Sequence, residues 1–300
     1  MSALVRALLG LPLLGLSLQS HPARAQAPAE QPDAAMLIGL SGPAFVSLSG
    51  ASPVQVDRCT GLPLGATVCT GPDSFATVRL DPSPTSSGAH DVVLMPGTCL
   101  DIEQATADRT QLRVERGSIT VATPRPRGGS STARTLAIRT RDGLAEGKDG
   151  GFRVAIEERA TRTEAVTGGI RLSGDGGSLE LAAGKGSRVS QGEAPTAPVD
   201  LLLSQALLSP EAGTALIRPD FHWQEVPHGT GYRIELSADA TFTDIVEAMD
   251  VAEPRWLPDF LFAPQAIEGL WWRVAPYDRL GFLGIPSEAR PLLLPPGVRG

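Results

Sequence analysis

The side chains best suited to chemistry in this chain are its cysteines and tryptophans. Three cysteines, Cys59, Cys69 and Cys99, lie close together in the N-terminal half. In an oxidising compartment two of the three can form one disulfide, and the sequence leaves the pairing open. A zinc site is a poorer interpretation, because no Cys-x-x-Cys motif occurs and the nearest histidine, His90, lies in a loop-like segment.

Two of the four tryptophans have positions from which they could contact a ligand. Trp256 follows a Glu-Pro-Arg turn, and Trp271 alternates with Trp272 along a predicted strand. Tryptophan combines a large apolar ring with a polar N–H group, so an exposed one can serve as a stacking surface. Trp256 and Trp271 are therefore candidate contacts for a glycan or a protein partner.

Motifs typical of catalysis are missing from the sequence. Neither Gly-x-Ser-x-Gly nor His-Glu-x-x-His occurs. The segment Ala183–Ser187 superficially resembles a phosphate-binding loop, but it lacks the upstream glycine and ends a predicted strand. Glu157 and Glu158 are adjacent, so on a strand they would point to opposite faces and could not act as a pair. We therefore predict a non-enzymatic protein with no cofactor and no metal site.

Short strands punctuated by glycine would position these side chains. Side chains alternate between the two faces of a strand, so the aliphatic residues of such runs line one buried face. The chain's 33 glycines and 26 prolines favour turns over long helices. Leu112–Val121 is predicted to form a hairpin that turns at Gly117. The other main predicted strands are Phe45–Leu48, Val54–Val56, Thr67–Cys69, Phe75–Leu80, Asp91–Leu94, Phe152–Ile156, Ala165–Leu172 and Ser178–Gly184.

Strands with aromatic anchors follow in the last third of the chain. They recur about every ten residues, as in a small β-sandwich. Phe221–Trp223, Tyr232–Ser237 and Leu270–Ala275 are the clearest. We predict that the core of this sandwich contains Trp223, Tyr232, Phe242 and Trp272.

The first 25 residues have the features of a cleavable signal peptide. Arg6 supplies a positive charge, Ala7–Leu18 an apolar core, and Ala23–Ala25 a small-x-small cleavage site. The apolar core is shorter than the ~20 residues that a transmembrane helix needs. The net charge is −7, and no basic cluster indicates nucleic-acid binding. We predict an exported protein, periplasmic or secreted, that does not span the membrane after signal removal.

Residues 36–193 resemble the FecR domain, a periplasmic module named after a bacterial iron-dicitrate signalling regulator. The resemblance rests on the order and spacing of strands and glycine turns. The matching segments are Thr67–Leu80, Val93–Leu100, Leu112–Val121, Gly150–Val154, Thr163–Leu172 and Leu179–Val189. Many members carry Arg-Gly-Thr before the phenylalanine strand, where this chain has Glu146–Gly151, so no role of that triplet is carried over.

Residues 213–296 are similar to the fibronectin type III-like domains that follow FecR domains in some exported proteins. The two resemblances imply an all-β protein, with a β-helix-like domain of stacked short strands followed by a small β-sandwich. The predicted organisation is a signal peptide at 1–25, a disordered mature N-terminus at 26–35, the FecR-like domain at 36–193, a linker at 194–212 and the sandwich at 213–296.

The predicted function is that of an interaction or scaffold module in the cell envelope. Its partner would be an envelope protein or a cell-wall glycan. Two alternatives stay open, namely a peptidoglycan- or polysaccharide-binding protein and a soluble relay in an envelope signalling pathway. Membrane-bound FecR regulators act on a sigma factor through a cytoplasmic segment. A chain with a cleavable leader and no membrane span cannot complete that circuit alone, so the resemblance does not extend to that role.

Overall fold

Every regular element in the described part of the chain is a β-strand. The computed structural model describes residues 33–49, 51–80, 90–122, 134–214, 218–259 and 269–293. The predicted signal peptide and most of the predicted disordered segment lie outside these residues. The described residues belong to one compact unit. The predicted all-β fold is confirmed, and no helix of the described residues could cross a membrane.

The first eighteen strands form two nine-stranded sheets, and together they are called the stack. The strands are β1 (Asp33–Ser41), β2 (Ala44–Ser47), β3 (Val54–Val56), β4 (Thr60–Pro63), β5 (Thr67–Thr70), β6 (Phe75–Leu80), β7 (Asp91–Leu94), β8 (Cys99–Ala105), β9 (Arg109–Arg116), β10 (Ser118–Ala122), β11 (Thr135–Arg139), β12 (Leu144–Gly147), β13 (Phe152–Ile156), β14 (Ala160–Ala165), β15 (Ile170–Gly174), β16 (Gly177–Leu181), β17 (Lys185–Ser190) and β18 (Val199–Asp200). Sheet I has the order β18-β17-β14-β13-β10-β7-β6-β1-β4, and sheet II has the order β16-β15-β12-β11-β9-β8-β5-β2-β3. Paired strands are antiparallel except β9 and β11, among the pairings that the structure describes.

The chain builds both sheets at once by crossing between them after every one or two strands. Most crossings pass through a glycine with φ between 67° and 89°, a left-handed conformation that other residues adopt at a cost. These glycines are Gly42, Gly65, Gly97, Gly117, Gly150, Gly168 and Gly184. The aliphatic side chains of both sheets meet in one core between them, which includes the fully buried Leu37, Leu100, Ile119 and Phe152.

The predicted hairpin at Leu112–Val121 is wrong. β9 belongs to sheet II, where it pairs with β8 and β11, whereas β10 belongs to sheet I, where it pairs with β7 and β13. Gly117 carries the chain from one sheet to the other. The strands themselves were predicted from alternation, but their partners were not.

The last seven strands form a sandwich of a three-stranded and a four-stranded sheet, here called the sandwich. They are β19 (Leu207–Ser209), β20 (Phe221–Trp223), β21 (Gly229–Ser237), β22 (Ile245–Val251), β23 (Arg255–Trp256), β24 (Gly269–Asp278) and β25 (Arg290–Leu293). The sheet orders are β19-β20-β23 and β22-β21-β24-β25. Residues 194–212, the predicted linker, include β18 of sheet I and β19 of the sandwich.

The core of the sandwich contains three of the four predicted aromatic residues. Trp223, Tyr232 and Trp272 are buried there, and the Trp223 and Tyr232 rings meet edge to face at 5.4 Å. Phe242 is also buried, but in a separate cluster with Phe75, Val93 and Met95 of the stack. The expectation that Phe242 belongs to the sandwich core is therefore wrong, because its loop packs outward onto the stack.

Candidate functional site

The structure contains one disulfide, between Cys69 and Cys99. The two residues lie directly opposite each other on the neighbouring strands β5 and β8, with Cα atoms 4.2 Å apart. The bond closes a loop of 30 residues. Cys59 is exposed and not disulfide-bonded. The pairing that the sequence left open is therefore Cys69 with Cys99.

The two candidate stacking tryptophans lie apart and are both packed against protein. Trp256 is only 9% exposed, and its ring stacks on Phe221 with centroids 5.3 Å apart. Trp271 lies on the opposite sheet of the sandwich, half-buried against the cluster that contains Phe75 and Phe242. Both rings therefore contact protein, and Trp256 is almost wholly buried.

The outer face of sheet I is covered by the four-stranded sheet of the sandwich. The strands β6, β7, β13 and β14 are therefore buried on both faces instead of alternating. One half of this contact is apolar. Phe75, Val93 and Met95 from the stack pack there on Phe242 and Ile245 from the sandwich.

The other half of the contact is built from arginines that hold the loop between β24 and β25. Arg153 is buried and donates hydrogen bonds to the carbonyl oxygens of Leu283 at 2.7 Å and Gly284 at 2.9 Å. The Glu164 carboxylate accepts a hydrogen bond from the Leu283 N–H at 3.1 Å and forms an ion pair with Arg162 at 2.7 Å. The loop's backbone groups thus find partners on sheet I, as buried groups require.

Phe282 at the tip of the same loop anchors it against β17. The Arg188 guanidinium lies 4.3 Å from the centroid of the Phe282 ring and donates to the Leu280 carbonyl at 2.6 Å. Glu157 pairs with Arg188 at 2.8 Å, which fixes the guanidinium. Gly186 leaves room for the ring, since an added Cβ would lie 2.6 Å from Phe282.

Glu235 is the buried acid at the centre of this half. Burial by itself would raise the pKa of Glu235, but Arg273, Arg153 and Arg233 outweigh burial and hold the pKa below its ordinary value. Arg273 lies 2.7 Å from the Glu235 carboxylate. Burial also lowers the pKa of Arg153, although Glu164 and Glu235 oppose this.

A third set of contacts ties the loop between β21 and β22 to the stack. The Arg58 guanidinium forms a bidentate ion pair with the Asp244 carboxylate, with N–O distances of 2.8 and 2.9 Å. The Thr77 hydroxyl donates to the Thr243 carbonyl. Asp239 stiffens this loop, because its carboxylate accepts the Thr241 N–H at 2.7 Å and the Asp244 N–H at 2.6 Å.

These charged groups work as structural contacts between the two bodies. Sequence reasoning missed them, although one signal was present. The loop between β24 and β25 contains Leu280, Phe282, Leu283 and Ile285, and so many apolar residues in one loop indicate a covered segment. Within the residues that the structure describes, no three or more His, Cys, Asp or Glu side chains are placed to hold a metal ion.

Several other surfaces of the described residues face solvent. The outer face of sheet II carries polar cross-strand pairs, such as Arg109 with Glu146 at 2.6 Å and Gln111 with Glu103 at 2.8 Å. A groove of about 610 Å³ runs along the side of the sandwich, between residues 203–207 and 285–291. Its size lies within the range usual for binding sites, roughly 300–1,000 Å³.

No family model and no curated protein matches this chain. Among solved structures, it is similar to a proposed anti-sigma factor from Parabacteroides distasonis, with 14% identity and a TM-score of 0.36 over 45% of this chain and 59% of that one. It is also similar to domains FN1–FN3 of chicken CNTN1, with 9% identity and a TM-score of 0.24 over 88% of this chain and 99% of that one. A beta-1,2-glucanase from P. distasonis matches at 12% identity with a TM-score of 0.22, over 89% of this chain and 38% of the enzyme. Likenesses this weak carry no argument about function.

Proposed function

We propose that this protein is an exported, non-enzymatic FecR-like protein that acts as an interaction or scaffold module in the cell envelope. The observation that carries the proposal is how the chain uses its charged residues. A set of charged side chains holds the sandwich against sheet I and makes its hydrogen bonds and ion pairs within that contact. These residues are Arg153, Glu164, Glu235 and Arg273. The outer face of sheet II and the groove of the sandwich are among the surfaces that remain open to a partner.

Two further features support a location outside the cytoplasm. The N-terminal sequence has the pattern of a cleavable signal peptide. The Cys69–Cys99 disulfide fits an oxidising compartment, since such bonds are rare where thiols are kept reduced. The packing of Trp256 and Trp271 gives no support to the glycan-binding alternative.

The test combines N-terminal sequencing of the mature protein with photo-crosslinking in the native cells. A crosslinking residue replaces Arg113 or Glu180 on sheet II, or Gln205 in the groove. All three are exposed. We expect a mature start near Gln26 and a defined adduct with an envelope protein from at least one position. An uncleaved chain in the cytoplasm, or no adduct from any position, would overturn the proposal.

A further inference from the structure

The groove of the sandwich lies between two backbone segments that come together at both ends and separate in the middle. At one end, Ile285 donates to the Leu202 carbonyl at 2.8 Å and Ser204 donates to the Ile285 carbonyl at 3.2 Å. At the other end, Gly213 donates to the Pro291 carbonyl at 3.0 Å, and Leu293 donates to that of Thr214 at 3.2 Å. The groove is the interval in which these two edges do not pair.

Backbone donors are available along this interval. The N–H groups of Gln205, Glu288 and Ala289 make no hydrogen bond within the described residues. Residues 213–214 already pair with the free edge of β25 just beyond the groove. An extended segment lying in the groove would continue that edge, which is the geometry of strand addition.

The side chains of the groove define what such a segment must carry. Leu203 is 63% exposed at the rim, and Ile285 and Pro286 line the opposite wall. Exposed apolar side chains beside a groove favour an apolar side chain in the occupant.

The charged side chains that line the groove further restrict which segments can bind there. The charged residues lining the groove are Glu288 and Arg290. Arg290 is engaged, since it donates to the carbonyl oxygens of Leu207 at 2.6 Å and Pro210 at 3.1 Å. Glu288 is exposed and forms no ion pair within the described residues. Arg290 keeps its charge but directs its N–H groups at these carbonyl oxygens, so Glu288 is the charged side chain of the groove left to pair with an occupant.

We propose that this groove binds an extended segment of a partner protein by strand addition. The segment carries an apolar residue that packs between Leu203 at the rim and Ile285 on the opposite wall. It also carries a lysine or arginine that pairs with Glu288. The inference rests on the proposed function, because it names the kind of partner segment that the interaction module takes.

The test selects random peptides displayed on phage against the mature protein. We expect enrichment of peptides with alternating apolar residues and a basic residue. Ala212→Trp, which fills the groove from an exposed position, should abolish their binding. Glu288→Lys should weaken it by roughly two- to fivefold, the worth of one exposed ion pair. Glu225→Lys makes the same charge change on an exposed loop outside the groove and should leave affinity unchanged.

Three outcomes would overturn the inference. One is that no peptide is enriched, and another is that the enriched peptides bind Ala212→Trp as well as the wild type. The third is a concentration-dependent dimer that Ala212→Trp abolishes, which would make a second copy of the chain the occupant. Failure here remains separable from failure of the proposed function. If crosslinked adducts form from Arg113 or Glu180 but not from Gln205, the groove is not the binding site, and the proposed interaction function is still supported.

Discussion

Thr161 and Thr163 lie two residues apart on β14 and point to the same side, yet only one of their hydroxyls has a partner. The Thr161 hydroxyl is hydrogen-bonded to Thr140 at 2.9 Å and to the buried Asp142 at 2.8 Å. The Thr163 hydroxyl is fully buried among Ile138, Val154 and other core residues and has no partner in the described part of the chain. A buried polar group without a partner lowers stability.

Thr163→Val should therefore raise the free energy of unfolding, by about 1 kcal/mol, because a methyl group replaces the unpaired hydroxyl. Thr161→Val is the matched control and should lower it by roughly 1–2 kcal/mol, since the buried Asp142 carboxylate loses the Thr161 donor and keeps only the longer contact from Arg141 at 3.3 Å. Urea denaturation of both variants measures the difference. Equal effects of the same sign would contradict this account of β14.

Glu235 and Glu247 are two acids whose pKa values move in opposite directions. The pKa of Glu235 lies below its ordinary value, because three arginines outweigh its burial. Burial raises the pKa of Glu247, and Asp73 and Asp259 add to this, although the Ala248 amide opposes it. A lowered pKa means that the charged form stabilises the fold, and a raised one means that the charged form weakens it.

The same substitution at the two sites should thus have opposite effects at neutral pH. The stabilisation that ionised Glu235 contributes is present above the ordinary glutamate pKa of roughly 4.3. It is lost as the pH falls through the lowered pKa that Glu235 has in the folded protein. Glu235→Gln should therefore lower Tm at pH 7. Glu247 opposes folding once the pH rises through its raised pKa, so Glu247→Gln should raise Tm at pH 7. The Glu247→Gln effect should fade toward pH 3 or so, where both forms are uncharged. Thermal melts across this range test both signs, and a Glu247→Gln variant that melts lower at pH 7 would contradict the assignment.

At the scale of elements, alternation was enough to predict most strands but not which strands pair. Phe75–Leu80 and Asp91–Leu94 were predicted with the bounds that the structure has. Alternation tells which side of a strand is apolar, and it does so equally for a hairpin and for a crossing between sheets. For this reason Leu112–Val121 was taken for a hairpin. The local pattern around Gly117 contains a turn signal in either case.

The surfaces of the candidate site were harder to predict than the strands. Trp271 and Arg153 lie on faces that a lone sheet would expose, and they are covered because a second body docks there, as is Phe242 in the loop between β21 and β22. Docking depends on residues more than a hundred positions apart, such as Arg153 and Leu283. The alternation of apolar and polar residues within one strand holds no information about contacts between residues so far apart in the sequence. The disulfide has the same limitation, since three cysteines allow three pairings and only sheet II places Cys69 opposite Cys99.

Gly117 shows why the crossings need glycine. Its φ is 83°, and a Cβ added there would lie 2.6 Å from the Thr98 Cα. Gly117→Ala should therefore lower the free energy of unfolding by about 2–5 kcal/mol, through left-handed strain and a clash with backbone. Gly65 has a φ of 82° with nothing within 4 Å, so Gly65→Ala carries the strain alone and should lose about 1–2 kcal/mol. Equal losses in chemical denaturation would show that Thr98 moves aside.

At the scale of the whole molecule, the described residues of the stack and the sandwich belong to one compact unit. Its two bodies are joined by buried charges as well as by apolar packing. All four tryptophans, Trp223, Trp256, Trp271 and Trp272, belong to the sandwich. Tryptophan fluorescence therefore follows the sandwich, whereas far-UV circular dichroism follows every strand, most of which belong to the stack. If the bodies unfold as one unit, the two signals should change together.

Arg153→Met should test this coupling, because Arg153 lies in the stack and its hydrogen bonds end in the sandwich. The substitution removes one of the cations near Glu164 and Glu235, which keep Arg162 and Arg273, and it leaves the Leu283 and Gly284 carbonyls without the Arg153 donors. We expect a loss of about 2–5 kcal/mol, because two buried carbonyl groups lose their donors, and this is measured as a lower urea midpoint. Arg171→Met is the control. It removes an exposed arginine 3.9 Å from Glu180 and should lose no more than about 1 kcal/mol. In the wild type and in Arg171→Met, the fluorescence and dichroism transitions should coincide. Transitions that separate in the wild type, or a fluorescence transition that Arg153→Met leaves in place, would mean that the sandwich folds independently of the sheet it covers.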